Sequence, residues 1–424
     1  MPLRFAGQRS VLEQAFRKAL QAAAPAVCLP PALAGLRRTP ALVLGAGKAA
    51  ASMAAAFHSH WGEPVRGMVV TRYGHGLDDA EEAGGIEIVE AGHPSPDSAS
   101  LAAGAKLHEL ASGLKRGETR VCLISGGGSS LASQPLPVVT FEQKRAAANF
   151  LIRQGADIRE INCVRKHLSR LKGGRLAGVA HPNPVVTVAI SDVPGDDVGA
   201  IASGPTVPDP TTQAEASQIL DKYRYPSRHE LAPILGDPKW ETPKPGDAFA
   251  NDSVHLIATA ATALAAAARF LEQQGFGVVQ LGDDLDDEAQ SLGREHARLA
   301  KEARKRGERT AILSGGETRV VLGEGGGRGG RNTEYLAALA LELDGAPGIA
   351  ALAADTDGID GHGDHAGGIV VPETLALGAA RDLSLAALLA RHDTYSYFDA
   401  CGLLLKTGPT RTNVNDFRLI LCEP

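Results

Sequence analysis

The feature that most constrains the fold is a short apolar run that leads directly into glycines. Residues 121–124 are apolar and partly β-branched, which is typical of a buried strand. Residues 125–130 follow with three glycines and three serines, and we call this segment the glycine turn. Glycine lets the backbone take positive φ and come close to a ligand. A strand that leads through glycines into a helix start aims backbone N–H groups at one point, with Ser129 or Ser130 as N-cap.

This pattern predicts a phosphate site, although a tight turn without a ligand would have the same sequence. The candidate phosphate-binding residues of the turn are Ser125, Gly126, Gly127, Gly128 and Ser129.

Strand-like runs alternate with helical stretches along the chain. In the first half, strands are predicted at 41–44, 67–71, 86–90, 121–124 and 185–190, with helices that include 141–156 and 160–179. Such alternation predicts a parallel, doubly wound α/β sheet. The pattern stops in a proline-rich polar stretch at about 225–252 and resumes afterwards. We therefore expect two α/β domains, a Rossmann-like domain over 1–240 and a second over 250–424. The amphipathic helix over 8–22 could pack on the second domain.

Composition narrows the class of protein. A chain of 424 residues is too long for one ordinary core, which agrees with two domains. The net charge of −6 argues against nucleic acid as a partner. Five cysteines without a Cys-x-x-Cys pair indicate a reducing cytoplasm. The N-terminus lacks the apolar core of a signal peptide, and no apolar stretch is long enough to span a bilayer, so no membrane role is expected.

Residues 45–50 match the pattern Gly-x-Gly-x-x-Ala after a strand. This is a weak dinucleotide signature, and Arg72 at the end of the next strand could accept the 2′-phosphate of NADP. Lys48, however, stands where the first turn of a helix is expected, and a cation there opposes the helix dipole. It is therefore expected to balance phosphate or carboxylate charge beside Gly47, unless it is an ordinary surface lysine. A Walker-type phosphate loop is absent from the sequence.

Two further features in the first half suit an anionic ligand. Residues 164–175 carry five formal positive charges, among them Arg165. The run is either a solvated helix face or the anion-attracting wall of a cleft. Asp192 follows a strand directly, which places a carboxylate where a general base or a metal ligand is useful. An ordinary turn rich in Asp, Pro and Gly is the alternative there.

The second half places polar groups at corresponding points. Glu317 follows the two glycines 315 and 316 at the end of a predicted strand. Arg331 follows five glycines at 325–330, and Asn332 or Thr333 could cap the next helix. Asp355 and Asp357 come after an apolar strand and suit Mg²⁺, which takes one or two carboxylates plus phosphate oxygens. Asn413 lies in a polar turn before the last strand. Together, an anion cradle, cationic groups and metal carboxylates indicate phosphoryl transfer.

At these residues the chain resembles the glycerate 2-kinases whose C-terminal part is called the MOFRL domain. The resemblance extends from about residue 40 to the end and rests on nine segments in order: 45–48, 125–130, 164–169, 191–193, 203–206, 314–317, 329–332, 355–361 and 412–416. It implies ATP-dependent phosphorylation of D-glycerate to 2-phosphoglycerate, Mg²⁺ dependence, and a Rossmann-like domain plus a MOFRL-type α/β domain with the active site in the cleft between them. Members are also often labelled hydroxypyruvate reductase.

Carried over by position, the resemblance implies that the cleft residues are Lys48, Asp192, Glu317, Arg331, Asp355, Asp357 and Asn413. We expect the glycine turns and Lys48 to hold phosphates, and Asp355 or Asp357 to hold Mg²⁺. Asp192 is the expected base and Glu317 its rival, while Arg331 or Lys48 neutralises the transferring group. D-glycerate and a nucleotide are then the partners of a cytoplasmic monomer or homodimer. An NADP-dependent hydroxypyruvate reductase and a non-catalytic sensor of sugar acids or nucleotides are the competing functions.

Overall fold

The structure is a computed structural model that describes residues 2–36, 40, 42–246, 249–321, 326–361 and 363–424. Ala41 of the first predicted strand and Gly325 of the glycine-rich run lie outside the described residues. The chain divides into two compact units. We call Pro25–Ile257 the N-terminal unit, and Ala258–Pro424 with the chain up to Ala24 the C-terminal unit.

The helices are numbered along the chain. The first, α1 (Pro2–Ala23), belongs to the C-terminal unit. The N-terminal unit contains α2 (Pro25–Leu33), α3 (Ala50–Trp61), α4 (Ser98–Ser112), α5 (Gly128–Leu131), α6 (Phe141–Arg153), α7 (Ile158–His167), α8 (Arg175–Gly178), α9 (Gln213–Lys222) and α10 (Arg228–Leu235). In the described part of the chain, no helix is both long and apolar enough to cross a membrane.

The described strands of the N-terminal unit form one sheet in the order β3-β2-β1-β4-β5-β6. They are β1 (Leu42–Ala46), β2 (Gly67–Arg72), β3 (Ile86–Ala91), β4 (Arg120–Ile124), β5 (Val185–Ile190) and β6 (Ser253–Ala258). Strands β1 to β5 pair in parallel. Every residue of β1 and β4 is buried, as expected for strands covered by helices on both faces. The predicted doubly wound α/β fold is confirmed.

The strand order reverses direction between β1 and β4, where Ala46 lies opposite Ile124. In sheets of this kind, ligands bind beyond the carboxyl ends of the strands at such a switch point. The segment after β1 contains Lys48, and the segment after β4 is the glycine turn. The topology therefore places these two sequence motifs side by side at the position that favours a ligand.

Three local predictions for this unit are wrong. Residues 160–179 do not form one helix, because α7 ends at His167 and Gly173 and Gly174 take φ of +58° and +79° before the short α8. Helix α5 begins at Gly128 after Gly127, so neither Ser129 nor Ser130 is its N-cap. Lys48 precedes α3, which begins at Ala50, and therefore does not lie in the first helical turn.

The described strands of the C-terminal unit form a mixed sheet in the order β11-β10-β9-β12-β8-β7. They are β7 (Gly277–Gln280), β8 (Thr310–Ser314), β9 (Ile349–Asp355), β10 (Gly367–Val370), β11 (Leu404–Leu405) and β12 (Asp416–Cys422). Strand β12 is antiparallel to both β8 and β9. The carboxyl ends of β8 and β9 and the start of β12 therefore meet at one edge of this sheet.

Helices surround this second sheet. They are α11 (Ala260–Gln273), α12 (Ala289–Lys305), α13 (Arg331–Leu343), α14 (Thr374–Ala379), α15 (Leu385–Leu389) and α16 (Thr394–Ala400). Helix α13 is buried on nearly all sides, between α12 and the strands β9 and β10. Helix α1 packs against α11. The ring centroids of Phe16 in α1 and Phe417 in β12 are 5.5 Å apart. The buried α13 fixes the position of Arg331 at its first residue.

Candidate active site

The two segments at the switch point of the N-terminal unit are packed tightly against each other. A Cβ on Gly47 would lie 2.1 Å from the Ser125 Oγ, so only glycine fits there. The Lys48 N–H donates to the Gly126 carbonyl over 2.8 Å, and the Ala49 N–H donates to the Ser125 Oγ over 3.0 Å. The glycine turn is thereby held in a fixed position beside Lys48.

The glycine turn offers backbone donors. Among the described residues, no acceptor takes the N–H groups of Gly126, Gly127 or Ser129. Gly127 has φ +80°, and a Cβ there would lie 3.2 Å from the Lys48 Cγ and 3.0 Å from the His93 ring. Three N–H groups beside the side chain of Lys48 make an arrangement that suits an anion. The helix that follows has only four residues, so the turn itself rather than a helix dipole supplies the donors.

Polar side chains extend this site away from the switch point. The Ser129 hydroxyl lies 3.0 Å from that of Ser203, which donates to the Asn162 Oδ1 over 3.1 Å. Arg165 lies in α7, and burial lowers the pKa of its guanidinium. Asp192 follows β5 and is half-buried at the same edge of the sheet. Sequence reasoning missed Asn162 and Ser203, although Ser203 lies within one of the nine segments.

A second group of predicted residues meets in the C-terminal unit, around Arg331. Its Nη1 donates to Glu317 over 2.6 Å, its Nη2 to Asp355 over 2.6 Å, and its Nε to Asp416 over 2.9 Å. Burial lowers the pKa of Arg331, but Asp416, Asp355 and Glu317 together outweigh it and raise the pKa well above its ordinary value. Arg331 is therefore a fixed positive charge among carboxylates.

The topology of the second sheet explains why these carboxylates converge. Asp355 ends β9 and lies directly opposite Asp416, which begins β12. Glu317 follows β8 through Gly316, whose φ is +99° and where a Cβ would lie 2.2 Å from the Leu285 nitrogen. Asp416 was missed as a site residue because its partner Arg331 is 85 positions away in sequence.

The other predicted residues of this unit surround the same group. The Asp355 Oδ1 accepts from the Asp357 N–H over 3.0 Å, and both side chains are buried. The Asn332 Nδ2 donates to Asp416 over 2.8 Å. Asn413 is buried in the turn before β12 and accepts from the Asn415 N–H over 3.3 Å. The residues that the structure describes contain no group of three or more His, Cys, Asp or Glu placed to hold a metal ion.

The start of α13 differs from the prediction. The helix begins at Arg331 after Gly330, so neither Asn332 nor Thr333 is the N-cap. Asp360 supplies the capping carboxylate, because its oxygens accept from the Asn332 and Thr333 N–H groups, each over 3.0 Å. A negative charge at a helix N-terminus is stabilising. Asp360 therefore has a structural role in the segment 355–361.

Comparison with known proteins agrees with the resemblance in the sequence. The family model described as Domain of unknown function (DUF4147) matches residues 11–233, and that of the MOFRL family matches residues 310–416. A protein of Agrobacterium vitis provisionally named hydroxypyruvate reductase is 46% identical over 419 residues, which are 97% of this chain and 94% of that protein. The D-glycerate 2-kinase of Thermotoga maritima is 37% identical over 405 residues, 94% of this chain and 95% of that protein.

A solved structure gives the same result. The crystal structure of the glycerate kinase from Thermotoga maritima matches this fold with a TM-score of 0.88 at 35% identity, over 98% of this chain and 100% of that one. The chain therefore belongs to the glycerate 2-kinase family, and its C-terminal part is the MOFRL region of that family.

Proposed function

We propose that this protein is an ATP-dependent kinase that phosphorylates the 2-hydroxyl of D-glycerate. The observation that carries the proposal is the glycine turn at the switch point, where three backbone N–H groups without a described acceptor lie beside Lys48. Phosphoryl transfer is catalysed mainly by positioning and by stabilising negative charge. Fixed N–H groups and an ammonium supply both without reorganising during the reaction.

The remaining predicted residues have distinct proposed roles. Asp192 is the proposed base that accepts the proton of the attacking hydroxyl, because it lies at the same sheet edge as Lys48 and the glycine turn. Glu317 is the less suitable base, since its carboxylate is bound to Arg331 over 2.6 Å. Arg331 would stabilise the negative charge of a phosphate. The phosphate would take the place of one of the carboxylates that Arg331 now contacts. The inter-domain cleft stays a prediction of the sequence.

Magnesium ion is the proposed cofactor, and Asp355 and Asp357 are the residues that would hold it. Their oxygen-only donor set has the chemistry that Mg²⁺ prefers, and two carboxylates suffice when phosphates and waters supply the other ligands. A set of only two agrees with the absence of a larger cluster among the described residues. When bound, the ion would neutralise charge on phosphate oxygens. The Arg331 guanidinium, 2.6 Å from Asp355, holds that carboxylate in a fixed orientation.

The hydrogen bonds at residues 47–49 count against the reductase alternative. A dinucleotide pyrophosphate binds to N–H groups at the first βα turn. Here the N–H groups of Gly47, Lys48 and Ala49 already donate to Val70, Gly126 and Ser125.

The described cysteines are all free thiols, which supports a reducing compartment such as the cytoplasm. We propose a monomer or homodimer there.

Product analysis tests the proposal. The protein is incubated with ATP, Mg²⁺ and D-glycerate, and phosphorus NMR identifies the product. We expect ADP and 2-phosphoglycerate in equal amounts. Formation of 3-phosphoglycerate would refute the assignment of the hydroxyl. Consumption of NADPH with hydroxypyruvate, without ADP formation from glycerate, would establish the reductase instead, and tight binding without turnover would indicate a sensor.

A further inference from the structure

Two buried lysines lie beside the glycine turn. Lys144 of α6 is 6% exposed, and Lys172, after α7, is 2% exposed. The Lys144 Nζ donates to the Ser133 Oγ over 3.0 Å, and the Lys172 Nζ donates to the Ser129 carbonyl over 2.6 Å. These partners are neutral. The two ammonium groups therefore converge on residues 129–133, which are the end of the glycine turn and its continuation. Neither of these hydrogen-bond partners supplies a negative charge that would neutralise them.

Arg165 completes what we call the cation cluster: Lys144, Arg165 and Lys172. Among the described residues, no carboxylate forms an ion pair with any of the three. The nearby cations differ, since Lys166 pairs with Asp209 over 3.2 Å. Burial, together with Arg165, lowers the pKa of Lys144 to about 7, and burial with the other two cations lowers that of Lys172 well below its ordinary value.

A buried cation without a counterion destabilises a fold, so its presence calls for a functional reason. The backbone beside the cluster gives a second sign of function. Ala202 and Ser203 take φ of +52° and +61°, which costs non-glycine residues about 1–3 kcal/mol each. This strained backbone holds the Ser203 hydroxyl between Ser129 and Asn162. Strain of this kind is retained mainly at binding and catalytic sites.

We infer that the cation cluster, with the hydroxyls of Ser129 and Ser203, binds the carboxylate of the small 2-hydroxy acid that accepts the phosphoryl group. This inference rests on the proposed function. The reaction brings together two anions, the triphosphate and the acceptor carboxylate, so it needs two anion sites. The glycine turn with Lys48 serves the first, and the cluster is a second on the same segment. In a 2-hydroxy acid the carboxylate and the reacting hydroxyl are on adjacent carbons, so the two sites have to be neighbours.

The test compares variants that change the charge of the cluster. Lys144→Met keeps a similar volume and removes the charge, Lys144→Arg keeps the charge, and Lys106→Met removes an exposed lysine of α4 as a control. For Lys144→Met we expect the KM for D-glycerate to rise by about tenfold to hundredfold, the loss expected for a hydrogen bond to a charged group. The KM for ATP should stay within about twofold of the parent value. A single cation that lies outside the phosphate site contributes little to ATP binding. Lys144→Arg should recover part of the affinity.

Thermal unfolding of the same variants separates binding from a structural role. Because Lys144→Met removes an uncompensated buried charge, its melting temperature should equal or exceed that of the parent. A lower melting temperature with an unchanged KM for D-glycerate would show that Lys144 is only structural. A higher KM for ATP alone would assign the cluster to the donor phosphates. A parent that does not phosphorylate D-glycerate refutes the proposed function itself, and with it this inference, before any variant is compared.

Discussion

Replacing Arg331 with methionine tests the charge balance of the C-terminal unit. The guanidinium contacts three carboxylates, and removing one partner of a buried ion pair costs about 3–5 kcal/mol because the other charge stays buried. The contact with Glu317 adds about 1 kcal/mol at most, since that side chain is 48% exposed. Asp416 keeps Arg418, 2.8 Å away, as a partner. Most of the loss should therefore come from Asp355.

If most of the loss comes from Asp355, removing the charge of Asp355 should restore part of the stability that Arg331→Met loses. Asp355→Asn, combined with Arg331→Met, removes the negative charge that the Arg331 guanidinium faces in the parent. The double variant should therefore be more stable than Arg331→Met alone. Residues in direct contact show coupling energies of about 0.5–3 kcal/mol, and we expect a value in the upper half of that range. Arg319→Met is the matched control, because Arg319 is 71% exposed and its partner Asp286 is exposed as well. It should cost less than about 1 kcal/mol.

The measurement has to report on the right unit. Both tryptophans, Trp61 and Trp240, lie in the N-terminal unit, so tryptophan fluorescence does not follow unfolding around Arg331. Amide hydrogen exchange of peptides from α13 and β12, with β4 as internal reference, does. A loss of 3–5 kcal/mol should speed exchange there by roughly two to three and a half orders of magnitude. An increase of less than about fivefold, corresponding to less than 1 kcal/mol, would refute the argument.

Three further predictions concern the N-terminal unit. Lys48→Ala should lower kcat by roughly 10²- to 10³-fold with an unchanged far-ultraviolet circular dichroism spectrum, and parental activity would remove it from the mechanism. Gly127→Ala and Gly62→Ala should each lower the free energy of unfolding by about 1–2 kcal/mol, measured by thermal unfolding, because both glycines have φ near +80°. Only Gly127→Ala should also weaken substrate binding. Burial, together with Arg165, lowers the pKa of Lys144 to about 7. Because a bound carboxylate favours the charged form of Lys144, calorimetric affinity for D-glycerate should be constant below pH 7 and fall above it by up to about tenfold per unit.

The architecture of the N-terminal unit could be predicted because its signals are local. Strands β1 and β4 are buried on both faces, so each is a continuous apolar run that is visible in a short window of sequence. The glycines after them are required by close contacts such as that of Gly47 with Ser125. Parallel connections are right-handed, which limits the possible strand orders. The nearness of Lys48 to the glycine turn follows from this topology.

The charge run at 164–175 shows where local signals fail. Its pattern fits either a solvated helix face or a cleft wall, and neither describes Lys172, which is almost fully buried. Helix α7 ends at His167, and Gly173 and Gly174 then turn the chain toward residues 203–205. The carbonyls of 203–205 accept the N–H groups of both glycines and of Leu176. Burial of a lysine depends on which distant segment covers it. The sequence of the run contains no information about that segment.

The ion pairs of Arg331 could not be predicted for a similar reason. Asp416 becomes its neighbour only because β12 inserts between β8 and β9, an antiparallel arrangement that alternation of strands and helices does not indicate. The N-cap prediction was wrong for a related reason, since the capping Asp360 is 28 residues away from Asn332 in sequence. Tertiary carboxylates replaced the local caps that the sequence offered.

The two groups of site residues differ in the sign of the charge that predominates in each, and this difference supports phosphoryl transfer more strongly than any single residue. In the N-terminal unit, Lys48 and the cation cluster surround a turn of backbone donors, which favours anionic oxygens. In the C-terminal unit, Arg331 is shared by three carboxylates, and the backbone of Asp357 donates to one of them, that of Asp355. Carboxylate oxygens of this kind favour a cation. A kinase that brings a metal-bound triphosphate to an anionic acceptor needs both kinds of site, because like charges on its two substrates have to be neutralised before they can react.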